Sequence, residues 1–91
     1  MTIPLKFELG KVLTTAQVNE KVSLPDILEV IAKHSRGDWG IVSPEDAALN
    51  EEALTYGNRL LSAYDLDDVG KLWVITEADR SSTTVLFPDE Y

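Results

Sequence analysis

Three short apolar segments in the second half of the chain constrain its fold more than any other feature. They cover residues 59–64, 71–76 and 83–87, and each has the length of one β-strand. Polar connections separate them, an aspartate-rich one at Asp65–Gly70 and a second one that includes Asp79–Ser82. Connections this short join antiparallel strands, whereas parallel strands need a long crossover. The sequence therefore predicts an antiparallel β-meander whose middle strand is apolar on both faces.

Two amphipathic helices are predicted before the meander. Each begins at a hydroxyl residue followed closely by proline, in Ser23–Pro25 and in Ser43–Pro44, which is the pattern of a capped helix start. Each ends at a glycine, Gly37 or Gly57, which can adopt the left-handed conformation that closes a helix. The apolar residues expected to face the core are Leu24, Ile27, Leu28 and Ile31 in the earlier helix and Leu49, Ala53 and Tyr56 in the later one.

The residues before these helices predict one strand and a further short helix. Residues 5–9 alternate between apolar and polar or small side chains, which is typical of a half-buried strand. We expect this strand to lie at the edge of the sheet or to form a short hook, with an extension to Leu13. Thr14 and Gln17 have the spacing of a capping box, in which the threonine hydroxyl binds backbone amides. A helix is therefore expected over residues 15–22.

The order of the predicted elements indicates an α+β fold. We expect two to three short N-terminal helices packed on one face of an antiparallel three- to four-stranded sheet that ends in the meander. The chain has 91 residues, 44% apolar and 26% charged, which predicts one small globular domain over residues 1–91. It has no cysteine, no recognisable signal peptide and no stretch near the roughly 18 apolar residues of a membrane span. These features predict a cytoplasmic protein without a membrane partner.

The charge of the chain is unevenly distributed. The net charge is −8; residues 1–40 carry five basic and five acidic side chains, whereas residues 41–91 carry three basic and eleven acidic ones. Proteins bind nucleic acids by neutralising phosphates with lysine and arginine, so this acidity disfavours direct nucleic-acid binding. We expect another protein as the partner. The acidic surface is predicted to include Asp65, Asp67, Asp68, Asp89 and Glu90.

His34 is the only histidine, and it lies near the end of a predicted helix, four residues before Asp38. A single His–Asp pair is weak support for catalysis. Zinc sites need three or four ligands, for which this chain offers one histidine and no thiolate. We therefore predict no catalytic residue, no metal site and no cofactor, and we interpret His34 as a polar residue at the end of a helix.

The connection Asp65–Gly70 has two interpretations. Acids at its first and third positions and glycine at its sixth are typical of a calcium loop. However, Val69 occupies the fifth position, and Thr76 stands where such a loop has its bidentate glutamate. We favour a hairpin turn with solvated acids.

A second polar segment, Glu77–Arg80, follows the middle strand of the meander. It is either an internal turn in which Arg80 pairs with nearby acids, which we favour, or a binding site at a strand end. Trp39 is also open to two interpretations, because the turn Gly37–Gly40 either places it at the end of the core or presents it to a partner. Trp73, inside an apolar strand, is predicted to be core. The candidate polar cluster consists of His34, Asp38, Trp39, Glu77, Asp79 and Arg80.

Four ordered segments of the chain carry a family resemblance. They are HSRGDWG at His34–Gly40, RLLSAY at Arg59–Tyr64, ITEADRS at Ile75–Ser81 and PDEY at Pro88–Tyr91. In these segments the chain resembles a family of short bacterial proteins that plasmids, phages and integrated mobile elements commonly carry. Members are often labelled plasmid-related or as a subunit of a type I restriction methylase, but this chain has neither the length nor the glycine-rich loop of a methyl-donor site. The resemblance implies a mobile-element context and assigns no functional residue.

Three functional hypotheses follow from the sequence. The leading one is a small, acidic, non-catalytic protein-interaction module from a mobile element, because no catalytic constellation is present. A sharper version is an anti-defence inhibitor that mimics DNA and occupies the basic channel of a restriction or CRISPR-type enzyme. The third is a small hydrolase or nuclease that uses His34, Glu77, Asp79 and Arg80. A homodimer formed through an uncovered sheet face or edge is a further expectation for so small a domain.

Overall fold

The computed structural model describes residues 6–91 and confirms the predicted α+β fold. The helices precede the meander, as predicted, and one strand precedes the helices. The bounds are β1 (Lys11–Thr14), α1 (Ala16–Lys21), α2 (Leu24–Ser35), α3 (Pro44–Tyr56), β2 (Leu60–Leu66), β3 (Gly70–Thr76) and β4 (Ser82–Leu86), followed by a 3₁₀ turn at Pro88–Glu90. Among residues 6–91, no helix has the length and apolar character needed to cross a membrane.

The four strands form one mixed sheet in the order β1-β4-β3-β2. The predicted antiparallel meander is confirmed for β2, β3 and β4, in which Leu60 lies opposite Thr76 and Thr76 opposite Thr83. The prediction of an entirely antiparallel sheet is wrong, because β1 runs parallel to β4. Three helices and two strands separate β1 from β4 along the chain. A connection of that length permits the parallel arrangement.

β1 lies at the edge of the sheet, as predicted, but later in the chain than the alternation of residues 5–9 indicates. Gly10 explains the difference. Its φ is +63°, and its Cα lies so close to the backbone of Arg80–Ser81 that any side chain would overlap it. The turn at Gly10 directs the residues that follow along β4. Leu5, the start of the predicted strand, lies outside the described residues.

Hydroxyl side chains cap all three helices of the described chain. Ser23 and Ser43 accept hydrogen bonds from backbone N–H groups in the first turns of α2 and α3, as predicted. The cap of α1 is Thr15, whose hydroxyl oxygen accepts from the Val18 N–H at 3.2 Å. The predicted cap was Thr14, which instead ends β1. The helix therefore starts one residue later than the capping-box pattern indicates.

Helices α1 and α2 cover one face of the sheet, which we call the inner face. The main core contains Val18, Val22, Ile27, Val30, Tyr64, Leu72, Val74 and Val85. The predicted apolar face of α2 is wrong at two positions, because Leu24 and Leu28 are exposed. The stripe that faces the sheet is instead Ile27, Val30 and His34, which a spacing of three and four residues places on one side of a helix.

Helix α3 docks beside the outer edge of β2. Asn50 and Ala53 are buried, whereas Leu49 and Tyr56, which were predicted to face the core, are exposed. The Asn50 side chain accepts from the Leu61 N–H at 3.1 Å and donates to the Leu61 carbonyl at 2.8 Å. This side-chain amide therefore takes the place of a neighbouring strand at one residue of the edge strand β2. The polar Asn50 thus lies on the buried side of α3, which has no continuous apolar stripe.

The opposite face of the sheet, the outer face, is covered less completely. The C-terminal residues reach it, and the ring of Tyr91 contacts Trp73 edge to face, with 5.7 Å between the centroids. Arg59 donates a hydrogen bond to the Tyr91 hydroxyl and lies over its ring. Trp73, predicted as core, is only half-buried at this position.

Candidate functional site

His34 is the centre of a buried chain of hydrogen bonds. Its side chain is fully buried, with Nδ1 2.5 Å from Ser62 Oγ and Nε2 2.9 Å from Thr76 Oγ1. Thr76 Oγ1 lies 2.7 Å from Thr83 Oγ1, and the Thr83 hydroxyl donates to the Leu9 carbonyl at 2.7 Å. The chain of bonds joins α2, β2, β3, β4 and the segment before β1. His34 therefore lies at a helix end, as predicted, but inside the core.

The proton positions in this chain follow from the carbonyl at its end. The Leu9 oxygen can only accept, so Thr83 uses its one proton there and must accept from Thr76. Thr76 then has no proton for His34, so Nε2 of His34 donates to Thr76. In a neutral ring, Nδ1 is the acceptor, and Ser62 donates to it. The hydrogen bonds therefore select the neutral tautomer with its proton on Nε2.

Aromatic rings surround His34. The ring centroids of Phe7 and Trp39 lie 5.2 and 5.8 Å from that of His34, and both rings meet it edge to face. Burial, and to a smaller extent the positive charge of Arg80, lowers the pKa of His34 to about 4. A general base needs a hydrogen-bond path to its substrate. Because both ring nitrogens of His34 bind hydroxyls inside the core, this geometry favours a role in stabilising the fold.

Trp39 belongs to the core and is not presented to a partner. Its side chain is buried, and its indole Nε1–H donates to Glu51 Oε2 at 2.8 Å. Asp38 is exposed, and its Oδ1 accepts from the Gly40 N–H at 3.2 Å. The spacing of His34 and Asp38 therefore does not produce a hydrogen-bonded pair.

Arg80 holds the β3–β4 turn against the end of α3. Its φ is +62°, a left-handed conformation that is uncommon for a residue with a side chain. Its guanidinium donates to the carbonyls of Asn58 at 2.6 Å, Ala53 at 3.0 Å, Glu77 at 3.2 Å and Ala78 at 3.3 Å. The Ala53 carbonyl lies in the last turn of α3, at the negative end of the helix dipole. The favoured pairing with acids is wrong, because Arg80 binds backbone carbonyls.

The carboxylates of Glu77 and Asp79 are exposed at the same turn. Asp79 Oδ1 accepts from the Ser81 N–H at 3.0 Å, and hydrogen bonds with Ser81 hold the pKa of Asp79 below its ordinary value. Of the candidate polar cluster, the structure brings His34 and Trp39 into ring contact and places Arg80 close enough to lower the pKa of His34. The carboxylates of Asp38, Glu77 and Asp79 form no hydrogen bond with His34, whose two ring nitrogens bind hydroxyls.

Four of the five predicted surface acids are exposed: Asp65, Asp67, Asp68 and Asp89. Glu90 is half-buried, and its Oε1 accepts from the Thr15 hydroxyl at 2.9 Å and from the Phe87 N–H at 2.8 Å. Its prediction as a surface acid is wrong, because this carboxylate holds the C-terminal turn against α1. Within the described part of the chain, no three or more His, Cys, Asp or Glu side chains are grouped so that they could hold a metal ion.

The hydroxyl residues between His34 and the sheet are not among the residues predicted from the sequence. Ser62, Thr76 and Thr83 are fully buried. Ser62 has a signal in the sequence, because it is a polar residue inside an apolar run, at a position that the period of two places on the inner face. Thr76 and Thr83 have none, because threonine is an ordinary strand residue and only strand pairing brings them together.

Two shallow cavities adjoin each other where the outer face meets α3. Their volumes are about 330 and 200 Å³, and Asp46 and Leu61 line both of them. We call this depression the outer groove. Its exposed or half-buried apolar side chains are Ile41, Val42, Leu49, Leu61, Trp73 and Pro88.

Comparisons of the chain with protein-family models, with curated proteins and with solved structures found no match. The buried polar groups of the chain are engaged in the fold, and its outer groove is open.

Proposed function

We propose that this chain is a small, non-catalytic protein-interaction module that binds its partner at the outer groove. The observation that carries the proposal is the exposure of large apolar side chains there. Ile41 is 54% exposed and Leu49 is 60% exposed, beside the half-buried Leu61 and Trp73. Half-buried aromatic and aliphatic side chains around a concave surface provide the anchor pockets that protein partners use.

The polar groups of the chain support the same proposal. His34 uses both ring nitrogens inside the core, and Arg80 uses its guanidinium on backbone carbonyls. Every buried side-chain nitrogen and oxygen of residues 6–91 has a hydrogen-bond partner. No observation therefore favours the hydrolase or nuclease hypothesis. The resemblance to mobile-element proteins favours a host or element-encoded protein in the cytoplasm as the partner.

Capture of partners from a bacterial lysate tests this proposal. The tagged chain is compared with a variant that carries Ile41→Asp and Leu49→Asp in the outer groove. The matched control carries Leu24→Asp and Leu28→Asp, because these residues are similarly exposed, at 65% and 57%, on the far side of α2. We expect a partner that the wild type and the control retain and the groove variant loses. Equal retention by all three proteins would refute the outer groove as the binding surface.

A second candidate function is the inhibition of a nucleic-acid enzyme by DNA mimicry. The observation in its favour is that Asp65, Asp67, Asp68 and Asp89 are exposed and form no ion pair within 4 Å among the described residues, where Lys33–Glu29 is the pair found. Free surface acids can replace phosphates in a basic channel.

Salt dependence separates the two candidate functions. Binding by DNA mimicry weakens steeply with salt and is lost when Asp67→Asn and Asp68→Asn are combined. Glu8→Gln with Glu20→Gln is the control, since it removes the same charge from two exposed acids of the electrically neutral N-terminal half. Binding that is independent of salt and of residues 67 and 68 would leave the outer groove as the explanation.

A further inference from the structure

The two edges of the sheet differ in how their backbone groups are satisfied. On β2, the Asn50 side chain binds both backbone groups of Leu61. The next outward-facing residue, Ala63, donates to the Trp39 carbonyl at 3.1 Å and accepts from the Ile41 N–H at 2.8 Å. The chain itself therefore occupies the outward backbone groups of this edge at Leu61 and Ala63.

The other edge of the sheet, at β1, is open in the described structure. Lys11 and Thr15 donate to the β4 side, to the carbonyls of Ser81 and Val85. In a parallel ladder, residues alternate between facing the partner strand and facing away from it. The N–H and C=O groups of Val12 and Thr14 therefore point away from β4, and all four residues of β1 are exposed.

The side chains of β1 expose apolar surface on both faces of the sheet. Val12 lies on the inner face, opposite Thr83, and is 46% exposed. Leu13 lies on the outer face, opposite Thr84, and is 43% exposed. Unpaired edge strands with exposed apolar side chains are templates for pairing with another strand.

We propose that β1 pairs antiparallel with β1 of a second copy of this chain, so that two sheets join into one across a two-fold axis. Directly opposed residues in an antiparallel pair either exchange both backbone hydrogen bonds or exchange none. Only Val12 and Thr14 face outward, so the register that uses both residues of both copies places Val12 opposite Thr14. Leu13 then lies opposite Leu13 of the second copy, at the axis. This proposal concerns a surface different from the outer groove.

The residues of β1 are complementary to themselves in this register. Leu13 meets Leu13 in a pair without hydrogen bonds, where side chains approach most closely. Lys11 lies opposite Thr15, so no like charges face each other. The edge also belongs to residues 1–40, whose five basic and five acidic side chains cancel, whereas the excess negative charge of the chain lies in residues 41–91. Lys11 is the one charged side chain of β1, so the excess negative charge does not lie on the paired strand itself.

Sedimentation at increasing protein concentration tests the pairing. Four residues from each copy form a small interface. We therefore expect reversible dimers that form at protein concentrations of roughly 10 µM to 1 mM. Val12→Pro removes an outward N–H without touching the bonds to β4, and Leu13→Lys places like charges at the axis. Both variants are expected to remain monomeric, while the control Leu24→Lys dimerises like the wild type. A wild type that remains monomeric, or variants that dimerise equally, would overturn the proposal.

A cross-link identifies the register directly, because the described chain has no cysteine and the sequence has none elsewhere. Opposed residues without hydrogen bonds have Cα atoms about 4.5 Å apart, within disulfide range, so Leu13→Cys should cross-link two copies. Val12→Cys is the matched control, since the two Val12 positions lie diagonally, roughly 8 Å apart and beyond that range. We expect the Leu13 variant to oxidise to a dimer at least about tenfold faster. Equal rates, or a faster Val12 variant, would contradict this register.

Discussion

The hydroxyl of Thr15 joins the first helix to the last turn of the chain. Its oxygen accepts from the Val18 N–H at 3.2 Å, and its proton goes to Glu90 Oε1 at 2.9 Å. The same carboxylate oxygen accepts from the Phe87 N–H at 2.8 Å. One side chain thus caps α1 and holds the C-terminal turn, although 75 positions separate the two residues.

Removal of this hydroxyl should destabilise the domain. We expect Thr15→Ala to lower the free energy of unfolding by about 1–2 kcal/mol, because both the helix cap and the bond to Glu90 are lost. Thr15→Ser keeps both bonds and should cost much less. A double-mutant cycle with Glu90→Ala, read by urea unfolding, is expected to give a coupling energy of roughly 0.5–1 kcal/mol. Additive effects would mean that the two side chains act independently.

The buried His34 should make the stability of the domain depend on pH. In the unfolded chain its pKa is near 6.5, whereas burial in the folded protein lowers it to about 4. Protonation therefore favours the unfolded state as the pH falls from about 6.5 to about 4. We expect the contribution of His34, fully present above pH 6.5, to decrease by about 3 kcal/mol over this range. Urea unfolding at several pH values measures it.

The His34→Leu variant provides the control for this prediction. It is expected to be less stable at pH 7, since the hydroxyls of Ser62 and Thr76 lose their partner, and to depend less on pH between 6.5 and 4. Nitrogen chemical shifts of the wild-type ring test the hydrogen-bond argument separately. They should show a neutral ring with its proton on Nε2, and a proton on Nδ1 would contradict the direction assigned to the chain of bonds.

Arg80→Lys should destabilise the domain by about 2–3 kcal/mol. An ammonium group cannot reproduce the planar donors that reach carbonyls of Asn58 and Ala53 at the same time. These partners are carbonyls and not carboxylates. The stability lost in Arg80→Lys should therefore change little when Glu77→Gln or Asp79→Asn is also present. Thermal unfolding of the single and double variants measures this, and a loss that disappears in the double variants would show that acids are the real partners.

Substitutions at Gly40 and Gly57 measure the cost of steric overlap separately from the cost of backbone strain. Gly40 has φ of +76°, and a Cβ there would overlap the Ala63 carbonyl oxygen, whereas Gly57 has φ of +75° and open space around it. Gly57→Ala should cost about 1 kcal/mol for the left-handed conformation alone. Gly40→Ala should lower the free energy of unfolding clearly more, or prevent folding. The backbone hydrogen bonds of Trp39 and Ile41 with Ala63 of β2 would have to move. Similar stabilities of the two variants in chemical denaturation would be inconsistent with the close approach at Gly40.

Local signals in the sequence identify most elements of this fold. Ser23 and Ser43 start helices where hydroxyl and proline patterns place them, and the period of two identifies the meander. The wrong predictions concern features that depend on tertiary packing. Leu24 and Leu28 are apolar but exposed, because the direction from which the sheet meets α2 selects a stripe that contains His34.

The candidate site was harder to predict than the fold. The sequence shows His34 and Arg80 as chemically distinctive residues, but their roles depend on partners that are not distinctive. His34 binds the hydroxyls of Ser62 and Thr76 from two strands, and Arg80 binds backbone carbonyls, which every residue has. Spacing along the chain contains no information about these contacts, because strand pairing and the docking of α3 create them.

The side-chain amide of Asn50 bears on how far the proposed pairing at β1 can extend. A sheet with two free edges can add further copies without end and grow into a fibre. Here Asn50 and the Trp39–Ile41 backbone already occupy the bonding groups of β2 at Leu61 and Ala63. In the proposed dimer, the outermost strands would be two copies of β2 whose outward groups at these residues are already bonded, which favours a pair over a filament.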